Sequence, residues 1–143
     1  MKPHKHQSFL KPQEIEKKLT EAGVQPTAQR IAICKYVLCE ADHPTAEQVK
    51  NWVDKNFPKM SLATVYNTLN TLVSSGLLKE IHVPKSESVI YDSNLGAHHH
   101  FIDERTGKVY DISSEEVRLD LQLSRKEFKV NEVSLFLRGV MKA

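Results

Sequence analysis

Apolar residues recur every three or four positions through the first half of the chain, which predicts a series of short amphipathic helices. Pro12 opens the first, which runs to about Glu21 with Ile15 and Leu19 on one side and stops at Gly23. Thr27 is placed to cap a second helix from Ala28 to about Cys39, whose apolar stripe is Ile31, Cys34, Val37 and Leu38. Asp42-His43-Pro44 breaks the chain. Thr45 caps a third helix carrying Val49, Trp52 and Val53, and Pro58 ends that region. Ser61 caps a fourth helix, Leu62 to about Ser75, stopped by Gly76.

The fourth helix divides into two faces. Leu62, Val65, Leu69, Leu72 and Val73 repeat at helical spacing and are expected to pack inward. Ala63, Thr64, Tyr66, Asn67 and Asn70 lie largely on the other side, a face that is small, uncharged and rich in hydrogen-bonding groups. Two extended segments follow, Leu77–Val83 and Ser88–Tyr91, separated by Pro84-Lys85-Ser86-Glu87, and these read as a hairpin. Three helices and a hairpin make a winged helix, with the fourth helix as reader of a DNA major groove. The same pattern fits a small helical bundle with a polar face.

From Asp92 onward the pattern changes. Ala97–Ile102 and Lys108–Ile112 read as strands around the turn Glu104-Arg105-Thr106-Gly107. Ser113 is expected to cap a helix from about Ser114 to Lys126, and Phe128 to Val140 reads as one or two further strands with Val133, Leu135 and Leu137 alternating. The expected fold is α+β: a winged-helix domain over 1–91, including a flexible N-terminal arm, then a small α/β domain over 92–143. A β-α-β module of about 50 residues is small to stand alone, and its mixed sheet has free edges. Pairing with a second copy answers both problems, so a homodimer is expected.

With 143 residues, 40% hydrophobic and 27% charged, the chain is long enough for one domain or two small ones and is not globally disordered. No apolar run approaches the roughly 20 residues that cross a bilayer, and the basic N-terminus lacks the apolar stretch of a secretory signal. Net charge is only +2, but it is uneven: residues 1–85 hold 12 Lys and Arg against 8 Asp and Glu, whereas residues 86–143 hold 8 against 10. Cys34 and Cys39, the only two cysteines, are too few for a disulfide framework or a four-thiolate zinc site. At helical spacing they point about 140° apart, so they read as core thiols. A cytoplasmic location is expected.

The histidines are clustered. His98, His99 and His100 are consecutive, and in a strand His98 and His100 share a face about 6.6–7 Å apart while His99 points away. Asp92 precedes that strand and Asp111 ends the next, within reach across the hairpin. His43 sits in the break before the third helix. Two imidazoles with flanking carboxylates can grip a metal ion; a solvated polar strand has the same residues.

The stretches His43-Pro44-Thr45-Ala46-Glu47-Gln48-Val49, Met60-Ser61-Leu62-Ala63-Thr64-Val65-Tyr66-Asn67-Thr68-Leu69 and Ser75-Gly76-Leu77-Leu78-Lys79-Glu80 resemble the DNA-binding half of the ferric uptake regulator (Fur) family. Tyr91-Asp92, His98-His99-His100 and Gly107-Lys108-Val109-Tyr110-Asp111 resemble its sensing segment, and Gly23 to Arg30 fits its entry. The resemblance spans about residues 12–140. It implies a homodimeric, metal-dependent transcriptional repressor acting on a double-stranded DNA operator, with no membrane partner and no enzymatic activity. It further implies one Fe(II) or Mn(II) per chain held by His43, Asp92, His98, His100 and Asp111, with one coordination position open. One ion would then tie the two halves together and set the spacing of two recognition helices. Operator contacts would fall to Arg30, Ser61, Ala63, Thr64, Tyr66, Asn67 and Asn70, with Lys11, Lys17, Lys18 and Lys79 as further candidates for phosphate.

Asp111, where iron-sensing relatives usually have Glu, and Asn67, where many have Arg, resemble the peroxide-sensing, PerR-type branch. In that branch bound Fe(II) reduces hydrogen peroxide and a ligand imidazole, here His43 or His98, is oxidised. An iron- or manganese-responsive regulator without peroxide sensing is the alternative, and a non-haem metal enzyme is a more remote one. The chain departs from the family at the structural zinc. Asp103 and Thr106 stand where the first Cys-x-x-Cys pair is usual, and the end, Arg138 to Ala143, has no second pair. No structural zinc is expected.

Overall fold

In a computed structural model, residues 10–142 are described, and the expected N-terminal arm lies outside them. The described chain forms two compact units, one ending at Leu95 and the other beginning at Gly96; the sequence pattern changes four residues earlier, at Asp92.

The first unit contains α1 (Pro12–Glu21), α2 (Ala28–Lys35), a π-helical turn (Tyr36–Glu40), α3 (Ala46–Asn56), α4 (Leu62–Ser74) and the antiparallel hairpin β1 (Lys79–His82) and β2 (Val89–Asp92). The caps act as expected. Thr27 accepts from Arg30 N, Ser61 accepts from Thr64 N, and Thr45 and Gln48 form a reciprocal capping box. Gly76, at φ 80°, closes α4: its N–H bonds Val73 O while Leu77 N–H reaches back to Leu72 O, a geometry that favours glycine. Ile15, Leu19, Ile33, Leu38, Val49, Val53, Val65 and Leu69 are fully buried in one core. Each contributes about 1.5–3 kcal/mol by leaving water.

Two details differ from the sequence reading. Leu62, expected to face inward, is 41% exposed in the first turn of α4. The second helix also tightens less than expected at its end: Ala41 N–H bonds Tyr36 O, a five-residue step. That wider turn sets the Tyr36 ring flat on Trp52 of α3, with centroids 4.3 Å apart.

The second unit is a three-stranded sheet, order β4-β3-β5, built from β3 (His98–Asp103), β4 (Val109–Ser113) and β5 (Phe136–Gly139). β4 pairs antiparallel with β3, and β5 pairs parallel to it. The helix expected over Ser114 to Lys126 is not formed. Ser113 caps a single 3-10 turn, Ser114–Glu116, after which Val117 is already extended. The reason lies in Val117, Leu119, Leu121 and Leu123, which alternate with polar residues. A period of two gathers them on one side of an extended chain and would scatter them around a helix. Only one strand, Phe136–Gly139, forms after Phe128. Among the described residues, no helix is long and apolar enough to cross a membrane.

Candidate metal centre

The sheet of the second unit assembles three donor atoms by register alone. His98 and His100 lie on one face of β3, and His100 is paired across the sheet with Asp111 of β4. His98 Nε2 and His100 Nε2 are 3.0 Å apart, and Asp111 Oδ1 lies 3.4 Å from the first and 3.5 Å from the second. All three side chains are at most 9% exposed. His98 Nδ1 lies 2.6 Å from Gly96 O. A carbonyl only accepts, so Nδ1 carries the proton and Nε2 of the neutral ring presents a lone pair to its neighbours.

A proton can bridge only two of these three atoms at a time. A cation at their centre satisfies all three, and two imidazoles with one carboxylate on a single face form the facial set that binds divalent iron. Adjacent donors around an ion with bonds of about 2.1 Å stand about 3 Å apart, close to the triangle seen. The residues present therefore fit a metal ion. Nitrogen and carboxylate donors without thiolate suit Fe(II) and Mn(II) better than a structural zinc.

The first unit holds a second, smaller donor set. Tyr91 N–H bonds Pro44 O at 2.9 Å, which docks β2 against the segment before α3 and brings Asp92 beside His43. His43 Nε2 lies 3.6 Å from Asp92 Oδ2, with the Asp92 side chain fully buried. Asp92 Oδ1 accepts from Asn94 N–H. Asp42 Oδ1, 2.6 Å away, accepts the Nδ1 proton of His43, so the histidine is oriented by a carboxylate as metal-ligating imidazoles usually are. His43 adopts φ 45°, a left-handed conformation that a non-glycine residue holds only when its surroundings fix it.

Asp42 was not among the sequence candidates, although a carboxylate directly before a candidate ligand histidine is a usable signal. Phe136 of β5 was also missed. It is paired with His100 and its ring stacks on the imidazole, with centroids 5.6 Å apart. No pattern in the sequence reveals a contact between strands 36 residues apart. His99 points to the opposite face, as the alternation requires, and its Nδ1 accepts the backbone N–H of Leu135 at 3.0 Å.

Where zinc-binding cysteines are usual, the turn after β3 is closed by other means. Asp103 Oδ1 accepts from Arg105 N–H, Thr106 Oγ1 accepts from Lys108 N–H, and Gly107 N–H bonds Asp103 O. Cys34 is buried and Cys39 half-buried, both as free thiols. Burial, with Cys39 nearby as a lesser cause, pushes the Cys34 thiol up to about 12.

The candidate DNA-contacting residues fall into groups. Ala63, Tyr66, Asn67 and Asn70 are exposed on α4, and Thr64 is half-buried there. Ser61 is exposed, but its hydroxyl is engaged with Thr64 N–H and Thr64 Oγ1. Arg30 lies on α2 with its guanidinium donating to Gln25 O at 3.0 Å. Tyr66 and Asn70 also border a groove of about 660 Å³ that includes Glu47, Glu80 and Glu87. Those carboxylates repel phosphate, and Ala63 and Asn67 do not line that groove.

A winged helix joined to a sheet carrying a buried nitrogen–oxygen chelating set defines a metal-responsive transcriptional regulator. The ferric uptake regulator family model matches residues 21–138, and the chain belongs to that family. The peroxide-responsive repressor PerR of Staphylococcus epidermidis is 34% identical over 126 residues, covering 87% of this chain and 83% of that protein. Among solved structures, the Campylobacter jejuni peroxide stress regulator aligns with TM-score 0.62 and 25% identity, covering 94% of this chain and 98% of its own. The Pseudomonas aeruginosa ferric uptake regulator with manganese shares the fold, with TM-score 0.67, 24% identity and coverage of 90% and 98%.

Proposed function

We propose that this protein is a cytoplasmic, homodimeric, peroxide-sensing repressor whose binding to an operator depends on one Fe(II) or Mn(II) per chain. The observation that carries the reading is the buried triangle of His98, His100 and Asp111 donor atoms. Three donors leave half of a six-coordinate sphere unfilled. The His43–Asp92 pair is the remaining nitrogen–oxygen set that the family resemblance assigns to the same ion, for five ligands and one open position. His43 and Asp92 belong to the first unit and the other three to the second, so a shared ion would restrict the angle between them. Without it the DNA-competent arrangement is one of many, and apparent affinity falls with its population.

Fe(II) held there would relay electrons from an imidazole of His43 or His98 to hydrogen peroxide, so that one peroxide oxygen ends on the ring and the other leaves as water. The chain's own residues determine the consequence. Asp42 and the Gly96 carbonyl hold the Nδ1 protons of those two rings, which leaves each Nε2 as the ligating atom. Oxidation removes that donor, and the restraint between the units is lost with it. Asn67 and Ala63 would face base edges, with Tyr66, Thr64, Asn70, Ser61 and Arg30 beside them. We also propose that no structural zinc is bound, because Asp103 and Thr106 use their oxygens to close the turn.

Metal-dependent operator binding tests the first half of this reading. Apo protein purified without a histidine tag should bind operator DNA at least tenfold more weakly than Mn(II)-loaded protein. Equal binding would refute a metal-dependent repressor. Turnover of a substrate with no effect of metal on DNA binding would favour the metal-enzyme alternative.

A further inference from the structure

The groove bordered by α3, α4 and the β1–β2 hairpin contains none of the candidate metal ligands. It encloses about 660 Å³, and Glu47 of α3, Glu80 of β1 and Glu87 of the turn before β2 all line it. No Lys, Arg or His does, so the groove repels anions and attracts cations. Glu80 Oε1 lies 3.0 Å from Nε2 of the exposed His82. Glu47 and Glu87 have no ion-pair partner among the described residues. The positive end of α3 at this wall is offset, because Thr45 and Gln48 form the capping box and Glu47 stands in the first turn.

Tyr91 of β2 also lines the groove, and it is only 3% exposed. Its backbone N–H is bonded to Pro44 O, but its hydroxyl has no hydrogen-bond partner among the described residues. Glu80, Tyr66 and Glu47 lie close enough to act on that hydroxyl electrostatically. All three line the groove, so the hydroxyl stands at its wall. A buried hydroxyl without a partner is costly, and a donor entering the groove removes the cost.

The spacing of the carboxylates indicates what kind of cation fits. Among the described residues, Glu47, Glu80 and Glu87 do not bring their oxygens within 4.8 Å of one another. One metal ion therefore cannot bind all three, whereas a chain of separated ammonium groups can reach each. Tyrosine rings attract ammonium groups and accept the methylene spacers between them, and Tyr66 joins Tyr91 in the lining.

We propose that this groove binds a linear aliphatic polyamine. Its ammonium groups pair with Glu47, Glu80 and Glu87, and one amine N–H donates to the Tyr91 hydroxyl oxygen. Neither the metal ion nor the operator takes part in this site.

The test is isothermal titration of spermidine into the full chain at about 0.1 M salt, where long-range attraction is largely screened. Saturable binding of one spermidine per chain is expected. Glu47→Gln and Glu87→Gln should each weaken it roughly threefold or more, and the double variant about tenfold or more. Tyr91→Phe keeps the ring, removes the hydroxyl, and should also weaken binding roughly threefold or more, with circular dichroism as the fold control. Glu16→Gln, an exposed charge on α1 outside the groove, should leave binding unchanged. Magnesium chloride should displace spermidine no better than sodium chloride of equal ionic strength. Absence of saturable binding overturns the proposal. So does binding that Glu16→Gln weakens as much as the groove variants do, which would mean diffuse attraction, or binding that magnesium specifically displaces, which would mean a point-ion site. Binding seen only after removal of residues 1–9, which carry Lys2 and Lys5 and no acidic residue, would give the groove to the chain's own basic segment and also overturn it.

Discussion

His98 and His100 bring their Nε2 atoms to 3.0 Å of one another on one face of β3, with Asp111 Oδ1 within 3.5 Å of both. Strand alternation sets the first relationship and β3–β4 register sets the second, so this half of the centre is built by backbone pairing. It requires no loop rearrangement to exist, and predictions about it follow from single side chains.

Asp42 holds the Nδ1 proton of His43 and so aims its Nε2. Asp42→Ala should lower Mn(II) affinity by roughly 10–100-fold without unfolding the first unit. Isothermal titration, with circular dichroism as the fold control, measures this.

Asn67 is exposed on α4 and does not line the groove that Tyr66 and Asn70 share with Glu47, Glu80 and Glu87. Asn67→Ala should weaken operator binding by about 1–3 kcal/mol and relax sequence preference at one position. Competition binding with single-base operator variants shows both effects.

His99 accepts the Leu135 backbone N–H from the opposite face of β3. His99→Leu removes the acceptor and should destabilise the protein by about 1–3 kcal/mol in urea unfolding. Unchanged stability would mean that the Leu135 N–H finds another partner.

The sequence made the helical half legible because its signals are local. Thr27, Thr45 and Ser61 are read as caps from their own neighbours, and Gly76 as a stop from its position. The pairing of His100 with Asp111 follows from a short hairpin turn. What stayed hidden depended on distant or competing information. Phe136 reaches His100 through a parallel pairing that no local pattern encodes. A good cap at Ser113 favours a helix over Ser114 to Lys126, but the alternation of Val117, Leu119, Leu121 and Leu123 outweighs one capping residue. Leu62 fits the apolar spacing of α4, yet a first-turn position lies beyond the edge of the core.

Cys34 is a core thiol whose burial pushes it from 9.0 up to about 12. It stays protonated in the folded state at pH 8, so iodoacetamide should label Cys39 first and Cys34 only on unfolding. Because the folded-state value is raised, the native thiol keeps its proton where the unfolded chain loses it. This contribution to stability is complete below pH 9 and declines as pH rises from 9 toward 12. Alkylation followed by peptide mass analysis, and unfolding curves at pH 8 and 10.5, measure the two effects.

Peroxide sensing through a ligand histidine is tested by mass spectrometry of Fe(II)-loaded protein exposed to stoichiometric hydrogen peroxide. The expected result is a gain of about 16 Da, one oxygen atom, on the peptide containing His43 or the one containing His98. Operator DNA should be released in step, and Mn(II)-loaded protein should show neither change. Release of DNA with both histidine peptides at their original mass, or equal oxidation of the Mn(II) form, would contradict it.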